Sequence, residues 1–91
     1  MGEYIKQDAV EGKLINPKGV MLMILLNSNF NGKTFMAKKI LSRMLKTKMA
    51  CIMNLETNRE ECEQFIDDCF ASGRVTNQNI IDLIEEVAGT K

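Results

Sequence analysis

The chain has 91 residues, 45% of them hydrophobic, and twelve Lys and Arg balance twelve Asp and Glu. For a chain of that length, one domain with one core is expected rather than a two-domain enzyme. Its longest apolar run, Val20 to Leu26, has seven residues, against the roughly 18–20 that a membrane-crossing helix needs.

The opening stretch MGEYIKQDAVEG carries both charge signs and no apolar centre, so no secretory signal is expected and the protein is expected to be cytoplasmic. Residues 1–15 read as a loose N-terminal arm or a short strand pair, ahead of a single helical domain over 16–91. Asn16-Pro17 then marks a helix start, with Asn as the N-cap and Pro where its missing N–H costs nothing. The Met- and Leu-rich run that follows favours a buried helix over about 17–27, with a buried strand as the alternative for 20–26.

The stretch NSNFNGKTF, residues 27–35, invites three readings. Gly32-Lys33-Thr34 resembles the end of the phosphate-binding pattern G-x-x-x-x-G-K-[ST]. Asn27 stands where the first glycine belongs, however, and 91 residues leave little room for the parallel sheet that such a loop serves. Asn27, Asn29, Asn31 and Gly32 imitate the first half of an EF-hand, but its twelfth position, which must supply a bidentate carboxylate, falls on Lys38. The remaining reading is a turn, in which Asn and Gly take the positive φ that ends one helix before Lys33 or Thr34 starts the next.

Residues 34–48 read as a basic amphipathic helix. Met36, Ala37, Ile40, Leu41, Met44 and Leu45 form one side, while Lys38, Lys39, Ser42, Arg43 and Lys46 form the other. MACIMN is expected to be a connection. Thr57-x-x-Glu60 reads as a capping box for a helix that ends at Gly73, and Thr76 as the cap of a last helix that ends at Gly89. The expected fold is all-α: four short helices in two helical hairpins, helix-turn-helix-like.

The neutral total hides a segregation. Between Gly12 and Leu55 there are eight basic residues and no acidic one, whereas Glu56 to Glu86 holds nine acids and two arginines. Such asymmetry points either to an anionic partner or unlike faces that associate, or to neutralisation of one half by the other across the fold. Cys62 and Cys69, two helical turns apart beside Phe65, Ile66 and Phe70, read as buried small hydrophobes. With no histidine and no Cys-x-x-Cys, no metal site or cofactor is expected. A nucleophile such as Cys51 or Ser42 lacks an evident base, so no enzymatic activity is expected.

The functional expectation is a small DNA-associated regulator of helix-turn-helix type. Lys33, Lys38, Lys39, Ser42, Arg43 and Lys46 would contact duplex DNA while Met36, Ile40 and Met44 pack beneath. The alternative is a protein-binding regulator or inhibitor that docks through a Met-rich apolar surface including Phe35 and Met36. A degenerate P-loop-like nucleotide binder comes third. A homodimer fits the first two, since a chain this small gains core from a partner.

Overall fold

A computed structural model describes residues 16–28, 30 and 32–89. The expected N-terminal arm, residues 1–15, lies outside the described residues. The regular structure is helical throughout: α1 Pro17–Leu25, α2 Thr34–Leu45, α3 Met49–Asn54, a 3-10 turn at Leu55–Thr57, α4 Arg59–Ser72 and α5 Asn77–Ala88. The all-α expectation holds, and Val20 to Leu25 are helix. There are five helices among the described residues where four were expected, because MACIMN folds as α3 and buries Ile52. None of the helices is long and apolar enough to cross a membrane.

Nor does the packing divide into two hairpins. Helix α1 packs against α2, α4 and α5, and α2 against α1, α3 and α5. The apolar α1 thereby becomes the centre of the molecule. Met21, Ile24 and Leu25 from α1 meet Ile40 and Leu41 from α2, Ile66 and Cys69 from α4, and Ile80, Leu83 and Val87 from α5 in one core. Fully burying each large side chain of this kind is worth about 1.5–3 kcal/mol.

The helix ends show why the elements stop where they do. The Asn16 side chain accepts from the Gly19 N–H at 3.2 Å, with Pro17 in the first turn. Helix α1 closes at Asn27, whose φ is 62°; Asn27 N–H donates to Ile24 O at 3.1 Å and Ser28 N–H to Met23 O at 3.1 Å. This is the paired bond pattern of a left-handed helix stop. Helix α2 ends in the same way, its last helical residue Leu45 three short of the expected 48 and its stop at Lys46. Lys46 has φ 57°, and Thr47 N–H donates to Ser42 O at 3.0 Å. Before α4 the cap is Asn58, whose side chain accepts from Glu61 N–H at 3.1 Å. Thr57 was expected in that role, but it belongs to the preceding 3-10 turn and donates its hydroxyl to Asn54 O at 3.3 Å. Gly73 ends α4 at φ 81°. Thr76 and Asn79 cap α5 reciprocally, side chain to backbone, at 3.2 and 2.9 Å.

The segregated charges meet inside the fold. Lys18 pairs with Asp67 at 3.7 Å, Lys38 approaches Glu56 at 4.0 Å and Arg43 pairs with Glu86 at 2.8 Å. Each pair joins the basic half of the sequence to the acidic half.

Candidate interaction face on helix α2

The loop between α1 and α2 spans residues 26–33, longer than the three or four residues that join a DNA-binding helix pair. It is held from within. The Thr34 hydroxyl donates to Ser28 O and accepts from the Phe30 N–H, while the Phe30 side chain is buried in the core. Gly32 takes φ 72° with nothing near its missing Cβ, as the turn reading requires. Sequence reasoning missed Phe30, since a single apolar residue in a polar loop has no periodicity to announce it.

The six residues expected to contact DNA, five of them on one polar face of the helix, do not share one face. Lys38 is 1% exposed; its Nζ donates to Leu25 O at 2.9 Å. That carbonyl lies in the last turn of α1, where backbone acceptors lack helical partners and a cation is favoured by the helix dipole. Burial pushes the Lys38 pKa below its ordinary value, an effect opposed by the nearby Glu56 carboxylate and by Cys62. Glu56 Oε1, facing Lys38 across 4.0 Å, is itself buried without a hydrogen-bond partner.

Ser42 is also buried, and its hydroxyl donates to Thr47 O at 2.6 Å, fixing the turn after α2. Lys33 is half-buried and donates to Val87 O at 3.2 Å, in the last turn of α5. Lys33 and Lys38 thus serve the carboxyl ends of two other helices. The expectation that Lys38 and Ser42 lie exposed is corrected. Three helices surround α2, so the arc it buries is wider than its apolar residues alone.

What α2 and the stop after it do present is a stripe three to four residues apart: Phe35, Lys39, Arg43 and, at the stop, Lys46, all exposed. Phe35 is 61% exposed, the most exposed large apolar side chain among the described residues. The Lys39 ammonium stands 5.9 Å from its ring centroid, at the outer range of a cation–π contact. Arg43 is held by Glu86 of the adjacent α5. Met36 and Met44 flank the stripe half-buried, and Met53 on α3 is exposed.

The thiols read as expected where they are buried. Burial raises the pKa of both Cys62 and Cys69, and Cys62 Sγ donates to Leu55 O at 2.9 Å, whereas Cys51 is exposed. No group of three or more His, Cys, Asp or Glu placed to hold a metal ion occurs among the described residues. Comparison with protein-family models, with curated proteins and with solved structures finds no match.

Proposed function

We propose that this chain is a protein-binding regulator whose anchor is Phe35. The observation that carries the reading is the exposure of Phe35 on a regular helix, with Lys39 beside its ring and half-buried methionines around it. Burying the exposed part of one such ring contributes about 1–2 kcal/mol. Aromatic anchors of this kind dominate protein interfaces, and methionine adapts to an apolar partner surface. The partner that fits is an apolar cleft with carboxylates at its mouth, because α2 contains cations and no acid.

Duplex DNA is the second reading, favoured by Lys39, Arg43 and Lys46 along one exposed stripe. It has lost Lys38 and Ser42, which are buried. The Arg43 guanidinium also carries Glu86 at 2.8 Å. A phosphate brought within 4 Å of such a carboxylate pays about 1 kcal/mol in water and more where water is excluded. The nucleotide-binding reading is weaker still, as Lys33 and Thr34 both have partners within the fold.

The test places a photo-crosslinking benzophenone side chain at position 35 and, as control, at Asp82 on the exposed surface of α5. A partner captured only from position 35 is then purified and titrated. Phe35→Ala should weaken its binding about tenfold or more, while duplex DNA should give no salt-dependent binding. Unchanged affinity in Phe35→Ala would overturn the proposal. DNA binding whose log–log salt slope falls by about two units in Lys39→Gln/Arg43→Gln would establish the second reading instead.

A further inference from the structure

A cleft of about 230 Å³ lies on the other side of α1, between its first two turns and α4. Ligand pockets for drug-sized molecules run from roughly 300 to 1,000 Å³, so this space suits a single side chain. Buried Ile66 and half-buried Leu22 line it beside Gly19, which has no side chain to fill it. Glu63 and Asp67, one turn apart on α4 and both exposed, stand at its mouth together with Asn16 and Lys18 of the α1 start. Their existing partners are surface ones: Arg59 holds Glu63 at 3.1 Å and Lys18 reaches Asp67 at 3.7 Å. Exposed pairs of this kind contribute only about 0–1 kcal/mol and exchange readily.

This cleft has the chemistry that the α2 stripe demands of a partner. We infer that a second copy of this chain is that partner, its Phe35 ring entering the α1–α4 cleft and its Lys39 meeting Glu63 and Asp67. The inference rests on Phe35 as the docking anchor and adds the identity of what it docks into. One chain does not satisfy itself. Helix α1 packs against both α2 and α4, which have no comparable contact with each other, so knob and cleft belong to different faces. Two unlike faces meeting make a heterologous contact. Glu63 and Asp67 come from the acidic half of the sequence and Lys39 from the basic half, so docking exchanges exposed pairs within one chain for pairs between two chains, in a molecule that is neutral overall.

The experiment is sedimentation equilibrium of the full chain and two variants, one without the knob (Phe35→Ala) and one with the cleft mouth inverted (Glu63→Lys/Asp67→Lys). Circular dichroism melts control for folding. Wild type should show a mean mass that rises with concentration up to about 1 mM, and added salt should reduce it because exposed charges are screened within about 8–10 Å. Each variant alone should associate at least about tenfold more weakly. An equimolar mixture should recover a one-to-one complex, since one variant keeps the cleft and the other the knob. A monomeric wild type, or Phe35→Ala associating as wild type does, or a mixture that fails to recover would each overturn the inference. Capture of a different protein from position 35, with a monomeric wild type, would retain Phe35 as an anchor while refuting the second copy as its partner. No capture and no self-association would refute both.

Discussion

Phe30 and Phe35 stand five residues apart in one short stretch and have opposite fates: the loop residue is 7% exposed and the helical one 61%. Position, not residue type, separates them. Phe30 sits where the chain crosses from α1 to α2 above the core, and the Thr34 hydroxyl holds the loop closed over it. Phe35 falls on the one side of α2 that α1, α3 and α5 leave uncovered. Three residues further on, Lys38 is buried deeper than either phenylalanine. A helix enclosed on several sides must bury whatever occupies those positions. A lysine is accommodated there because a helix end supplies an acceptor for its ammonium.

The sharpest way to break this comparison is to truncate both rings. Phe30→Ala removes a core side chain and should cost about 3 kcal/mol, read from urea unfolding at unchanged slope. Phe35→Ala should leave stability within about 0.5 kcal/mol, since alanine is the better helix former at an exposed site. Equal losses would show that Phe35 packs against this chain and is no anchor for another.

Next in size is the buried lysine. Lys38→Met keeps the chain length but removes the donor to Leu25 O and leaves Glu56 Oε1 facing no cation; about 2 kcal/mol should be lost. Adding Glu56→Gln to Lys38→Met should recover part of that loss, because no carboxylate then lacks its counter-charge. A double-mutant cycle reads the coupling. If Lys38→Met unfolds at the wild-type midpoint, the ammonium is not a cap for α1.

A smaller effect depends on pH. Lys38 binds its proton less tightly in the folded chain than in the unfolded one, so unfolding takes up protons in the window between the two pKa values and stability rises with pH there. Its contribution is therefore complete above the ordinary lysine value, about 10.4, and is lost as pH falls through the depressed folded value. Buried Cys62 and Cys69 act in the opposite sense, their raised pKa values costing stability as pH rises past the ordinary thiol range. Both thiols remain in Lys38→Met, where Cys62 also loses the lowering influence of the Lys38 ammonium, a change of the same sign. The stability of wild type minus that of Lys38→Met should therefore increase on going from neutral to alkaline pH, and a flat or falling difference would contradict the burial of a charged lysine.

The sequence disclosed much of the fold through local chemistry. Asn16-Pro17, Gly73 and Thr76 act at helix ends as their side chains dictate, and these signals are complete within four residues. Elements that depend on distant packing were less legible. The six residues of α3 are too few to display a period, and no side chain caps their start. The run Thr57-Asn58-Arg59-Glu60-Glu61 offers two cap registers one residue apart, and the 3-10 turn before it decides in favour of Asn58. Of the candidate face, Lys39, Arg43 and Lys46 were read correctly as exposed. Lys38 and Ser42 were not, because the acceptors that draw them inward, Leu25 O and Thr47 O, belong to a helix end and a turn outside α2.

The finest test concerns Lys46, which belongs to both the exposed stripe and a helix stop. Asn27 and Lys46 end their helices with the same bond pattern and nearly the same φ, 62° and 57°. Asparagine tolerates that left-handed geometry; lysine pays roughly 1–2 kcal/mol for it, and glycine pays little. Part of the gain from glycine is offset by the greater entropy of its unfolded chain, so Lys46→Gly should stabilise the protein by about 0.5–1 kcal/mol. The matching change at the other stop, Asn27→Ala, should destabilise it by a similar small amount. If Phe35 anchors a protein partner, Lys46→Gly should change that affinity by less than about threefold, as a rim charge does. If instead the stripe meets phosphates, the same substitution should lower the log–log salt slope of DNA binding by about one unit. A variant that melts higher and binds its partner unchanged would place Lys46 with the fold, and the docking surface would contract to Phe35, Lys39 and the methionines beside them.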